Sequence, residues 1–208
     1  MSLATLGTFL VVIAVLIAAP GPDWAFTLGV VSRRQSLSAA VTGLVIGYLG
    51  LTAVVALGVG DVLAEQADVL VALTLFGAAY LAWLGARAIR HPHVDLDEDA
   101  GQTARLARSR LAVAVAGIGV SCLNPKALLI FVAVLPQFTS QHAGWSPEAQ
   151  LAGLGVTFAA TVGAFYSLLG TLASRVVQQR PTLAAQLSRA AGVAMVLLAA
   201  ALVVQHGR

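Results

Sequence analysis

Apolar residues run along this chain in six long stretches separated by short polar connections, near residues 3–31, 39–60, 69–89, 111–135, 151–173 and 190–204. A helix rises about 1.5 Å per residue and a bilayer core is about 30 Å thick, so stretches of this kind read as membrane-crossing helices. The last is short unless it extends back through residues 183–189. The pattern predicts an all-α integral membrane protein of six transmembrane helices, forming one transporter-like domain over 1–208.

Two of the stretches are interrupted. The first carries Pro20-Gly21-Pro22-Asp23 and the fourth carries Asn124-Pro125-Lys126. Proline lacks a backbone donor and clashes with the preceding turn, so each break frees main-chain groups that lipid cannot satisfy. Spans one and four are therefore expected as broken helices. Pro20 lies about 25 Å along span one and Asn124 about 20 Å along span four, counted from opposite faces, so both breaks fall near the middle of the membrane.

Charge then sets the topology. Arg33 and Arg34 follow span one, Arg87, Arg90, Arg105, Arg108 and Arg110 flank the third connection, and Arg175, Arg180 and Arg189 lie between spans five and six. The alternate connections carry Asp61, Glu65, Asp68, His142 and Glu148, with no lysine or arginine. Basic loops stay in the cytoplasm, which puts both termini outside. Three spans per half then give two halves of inverted topology, about 1–90 and 111–208, joined by a cytoplasmic loop at 91–110.

Composition agrees. Hydrophobic residues make up 59% of the chain and charged residues 10%, against about 25% in a soluble domain. The isoelectric point near 9.6 suggests a nucleic-acid partner only until the arginines are placed: they sit between apolar runs, facing a lipid bilayer. Met1-Ser2-Leu3 has no basic region of the kind that opens a signal peptide, and the first apolar run is longer than a signal core, so it is expected as a retained span. The lone Cys122 reads as a small hydrophobe.

The breaks carry the candidate chemistry. Asn124 is a good N-cap and Pro125 suits the first helical position; Pro22 and Asp23 play similar parts in span one. Half-helix N-termini offer N–H groups to an anion, and the preceding C-terminal ends offer carbonyls to a cation. A site with both suits a zwitterion, and a free amino acid is the commonest small one. Burial disfavours the charged form of Asp23, whereas a helix N-terminus or a nearby Lys126 favours it. A group so balanced suits proton coupling or binding of a substrate ammonium. Lys126 reads equally as a neutralising or snorkelling charge. Tyr48 and Tyr166, in the middle spans of the two halves, are candidates for hydroxyls in the central cavity, while Gly43, Gly47, Gly155, Ala159 and Gly163 read as close-packing positions.

In these residues the chain resembles the lysine-exporter (LysE/RhtB) family of bacterial amino-acid exporters. The resemblance covers nearly the whole length. It rests on Pro20-Gly21-Pro22-Asp23, Gly43 and Gly47, Tyr80-Leu81-Ala82-Trp83-Leu84-Gly85, and Asn124-Pro125-Lys126-Ala127, in that order. It implies proton-driven export of amino acids or close analogues across a bacterial inner membrane. The family's motif positions carry over as Pro20, Gly21, Pro22, Asp23, Asn124, Pro125 and Lys126. Its members take basic amino acids, threonine and homoserine, or branched and sulfur-containing ones.

Other classes fit less well. A divalent-cation exporter draws on His91-Pro92-His93-Val94-Asp95 with Asp97, Glu98 and Asp99, yet a solvated charged loop explains that run, and Asp23 would be the lone strong ligand within a span. A serine hydrolase, thiol oxidoreductase or aspartyl protease needs an embedded base, paired cysteines or paired carboxylates, and the sequence has none of them. A non-transporting subunit leaves the paired breaks unexplained. No cofactor is expected. Six short helices leave little scaffold around a pathway, which is compatible with a homodimer.

Overall fold

The computed structural model describes residues 3–19, 21–59, 67–90, 102–140, 144–179 and 181–206. Pro20, His91, His93, His142 and the acidic residues at 95–99 lie outside the described residues. All regular structure among the described residues is helical.

The first broken stretch is α1 (Leu3–Ala18) and α2 (Pro22–Ser32), bent by 57°. Next come α3 (Leu37–Val54), with a widened π-type turn at Val55–Val59, and α4 (Ala67–Arg90). The second broken stretch joins α5 (Gln102–Cys122) to the short α6 (Pro125–Leu129), with a 49° bend. The chain continues through a π-type turn at Ile130–Val134 and a 3-10 turn at Leu135–Phe138. Then follow α7 (Pro147–Gln179) and α8 (Pro181–His206). α8 does extend back past residue 190, and α5 begins ahead of the expected 111.

Local chemistry explains these limits. Ser36 caps α3 by accepting from the Ala39 amide at 3.3 Å, and Asn124 caps α6 by accepting from the Lys126 amide at 3.1 Å. Pro22 and Pro125 each sit at a first helical position, where a missing N–H costs nothing. Pro136 cannot donate to the carbonyl four residues back, and the helix widens before it and tightens around it.

Among the described residues, Leu37–Leu57 and Pro147–Val177 are each long and apolar enough to cross a membrane, and both bent pairs qualify if each counts as one span. Val15, Leu57, Phe76, Leu168 and Leu197 are largely exposed on the outside of the bundle. Such a surface belongs against lipid.

The principal partners of the helices lie across the two halves of the chain. α3 packs on α5 and α7, α4 on α8, and α2 on α8 and α7. Glycine permits the closest approaches. A Cβ at Gly43 would lie 2.1 Å from the Ala114 carbonyl oxygen, and one at Gly85 would lie 2.6 Å from that of Gly192.

Candidate functional site

The two breaks meet. Asp23, in the first turn of α2, is buried, as is Asn124 at the head of α6. The Asn124 side-chain oxygen is committed to the cap on Lys126, which turns its amide towards Asp23; Nδ2 donates to Asp23 Oδ1 at 3.2 Å. The buried Tyr48 hydroxyl, from α3, donates to the other carboxyl oxygen of Asp23. Asp23 therefore does not cap its own helix. The N-cap of α2 is Gly21, which has no side chain to give, and both Asp23 oxygens are bonded across the bundle.

The carbonyl end of α1 is covered by side-chain donors. Lys126 Nζ donates to the Ala19 carbonyl at 3.0 Å. Trp24 Nε1 and the Tyr166 hydroxyl both donate to the Ile17 carbonyl, at 3.3 and 3.4 Å. Freed backbone acceptors in a membrane need such partners. The result is reciprocal: residues of the second break and of α7 satisfy the first, while Asp23 of the first engages the second.

Asp23, Tyr48, Asn124, Lys126 and Tyr166 surround one cavity of about 10 Å³, closed on its apolar side by Phe158 and Ile130. That is about the space of one water molecule. An amino acid fits only if these walls part. Gly21 lies just outside, where a Cβ would stand 4.0 Å from Lys126 Nζ. Pro22 and Pro125 shape the half-helix starts without lining the cavity.

Four aromatic residues around the site have no place among the sequence-derived candidates. Tyr48 stacks on Phe131 at 6.2 Å between centroids and meets Phe158 edge-on at 5.1 Å, and Phe131 meets Phe158 at 5.3 Å. Trp24 packs against Phe165 at 5.8 Å. Phe131 falls two turns after Asn124 and Trp24 directly follows Asp23, and these offsets were the available signal. Among the described residues, no group of three or more His, Cys, Asp or Glu side chains comes together as a metal site. The hydrogens of Tyr48 and Asn124 point at Asp23, an arrangement that opposes a cation there.

A protein of Vibrio cholerae serotype O1 described as an uncharacterized membrane protein is 30% identical over 146 residues, covering 70% of this chain and 69% of its own. A leucine efflux protein of Klebsiella pneumoniae is 28% identical over 182 residues, covering 85% of this chain and 84% of its own. No solved structure matches the chain. The profile of the LysE type translocator family matches residues 14–206, a span that takes in both breaks and the tyrosines beside them. The chain belongs to the LysE type translocator family and is a transporter, not an enzyme.

Proposed function

We propose that the protein is a secondary active exporter of amino acids or close analogues, coupled to protons, in a bacterial inner membrane. The observation that carries this reading is the Asn124–Asp23 hydrogen bond, which joins the two helix breaks around the one embedded carboxylate. The leucine efflux relative supports an amino acid as the cargo. The arginine bias supports six spans with both termini outside, as two inverted three-helix halves.

Asp23 is the proton-coupling residue in this reading. When ionised it accepts from both Tyr48 and Asn124. When protonated it has a hydrogen to give, and one neighbour must turn. A tyrosine hydroxyl can switch from donor to acceptor, while the amide of Asn124 cannot without losing its cap. Protonation therefore acts on Tyr48 and through it on the aromatic wall of Phe131 and Phe158. The substrate ammonium takes the Ala19 carbonyl, at the carbonyl end of α1. Because the two halves interleave, rocking them as whole bodies would break α3–α5 and α4–α8 packing; local opening along the pathway is the motion we infer.

A divalent cation fits this donor-lined carboxylate poorly. The test is efflux from cells loaded with a mixed pool of labelled amino acids, with and without the protein and a protonophore. Protonophore-sensitive loss of one or a few amino acids is expected. No loss of any, with the protein in the membrane, overturns the reading.

A further inference from the structure

A second, larger cavity lies at the arginine end of α2. It measures about 410 Å³ and is lined by Val31, Arg34, Gln35, Leu37, Ser174 and Val177. α2 and α7 run side by side from the cavity at the breaks to this one. Asp23 and Tyr166 share the first cavity, and Val31 packs with Val177 beside the second. Asp23, Thr27 and Val31 follow one another at four-residue spacing along one face of α2, about 6 Å per step. Tyr166, Gly170 and Ser174 do the same on α7.

Three observations concern the ground between the cavities. First, Thr27 is fully buried, and its hydroxyl is the one buried side-chain polar atom among the described residues without a hydrogen-bond partner. The helical threonines Thr52, Thr157, Thr161 and Thr171 all donate to the carbonyl four residues back, at 2.7–2.8 Å. Thr27 makes no such bond. A buried polar group that no protein group satisfies costs about 1–3 kcal/mol, so this hydroxyl is open to a polar partner from outside the chain.

Second, Leu37 fills the place that Gly170 leaves by having no side chain. A Cβ at Gly170 would stand 2.3 Å from Leu37 Cδ1. Leu37 also lines the larger cavity, so it stands between the two spaces on the Tyr166–Gly170–Ser174 line.

Third, Arg34 ends α2 in the left-handed conformation, with φ of 53°. Its amide bonds the Val31 carbonyl at 3.0 Å and the next amide, of Gln35, bonds Val30 at 3.0 Å, a closure that normally uses glycine. A non-glycine residue there costs about 1–2 kcal/mol, a strain that points to use of the guanidinium. Two further arginines, Arg33 and Arg87, interact with each other nearby. Burial and then the charge of Arg87 hold the neighbouring Arg33 guanidinium below its usual range, and no acidic residue occurs between Asp23 and Asp61.

We propose that the cargo enters from the cytoplasm between α2 and α7: Arg34 takes its carboxylate in the larger cavity, Leu37 seated on Gly170 is the gate, and Thr27 is the relay to Asp23. The identity of the cargo as an amino acid rests on the export reading above; the route does not.

Two measurements test it in the full-length protein. With Cys122 replaced by alanine, cysteines at Thr27 and Ser174 are exposed to a membrane-impermeant thiol reagent in inside-out and right-side-out vesicles. Ser174→Cys should label readily and Thr27→Cys slowly, both from the cytoplasmic face. Adding Leu37→Ala should raise Thr27→Cys labelling about tenfold, the change expected when a side chain that excludes water is removed. Labelling of Thr27→Cys from the opposite face alone, or unchanged by Leu37→Ala, overturns the route. In efflux assays Arg34→Ala should raise the half-saturating internal amino-acid concentration about tenfold with little change in maximal rate, and Arg34→Lys should restore part of it. An unchanged half-saturation overturns the role of Arg34. The labelling pattern without transport of any amino acid would leave the route standing and remove the export reading.

Discussion

Asn124 donates its side-chain amide to Asp23 at 3.2 Å although 101 positions separate them in the chain. Its oxygen caps α6 at the same time, so one side chain both starts a half-helix and fixes the embedded carboxylate. The two tasks separate by substitution. Asn124→Asp keeps a good N-cap but presents an acceptor where Asp23 needs a donor. Normal membrane abundance with loss of most export is expected, read by immunoblot and labelled-substrate efflux. Full export by this variant would remove the contact from the mechanism.

Tyr48 offers a narrower change. Tyr48→Phe keeps the ring contacts with Phe131 and Phe158 and removes only the hydroxyl that bonds Asp23. A hydrogen bond to a charged group contributes about 1.5–3 kcal/mol, so export should fall by about tenfold or more, and its dependence on pH should flatten. Rates measured across a range of imposed pH gradients give both results.

Lys126 covers the Ala19 carbonyl at 3.0 Å, at the cation-attracting end of α1. A substrate ammonium bound there must displace it. Lys126→Met should therefore lower the half-saturating substrate concentration by up to about tenfold, the worth of one such bond, while maximal export falls. A raised half-saturation would instead make Lys126 a direct substrate ligand.

Packing between α3 and α5 gives a stability test remote from the chemistry. Gly43→Ala places a Cβ 2.1 Å from the Ala114 backbone oxygen, and backbone gives way poorly. Overpacking of this kind costs about 1–3 kcal/mol. Gly50→Ala, where nothing lies within 4 Å, is the control. A lowered melting temperature of detergent-purified protein is expected for the first variant and not for the second.

The broken helices were legible because proline acts locally: Pro22 and Pro125 mark helix starts whatever surrounds them. The depth count from opposite faces put both breaks near the middle of the membrane, and Asp23 and Asn124 of those breaks are in contact. Other features depend on neighbours that sequence does not reveal. The donors that cover the α1 carbonyls come from Trp24, Lys126 and Tyr166, which nothing local assigns to that task. Phe131 and Phe158 look like ordinary apolar residues until Tyr48 is seen to pack against both. The irregular helix after α6 centres on Pro136, and its effect extends back through a π-type turn that no periodicity shows. The orphaned hydroxyl of Thr27 is visible only once burial is known.

Asp23 is the centre of the account, and proteoliposomes test it most directly. Purified wild-type protein and Asp23→Asn are compared for amino-acid accumulation under an imposed pH gradient and for exchange of labelled against unlabelled substrate without one. Asparagine keeps the shape of the side chain and removes its titration. The expected result is gradient-driven accumulation by the wild type alone, with exchange retained by the variant. Accumulation by Asp23→Asn equal to that of the wild type would contradict proton coupling at Asp23.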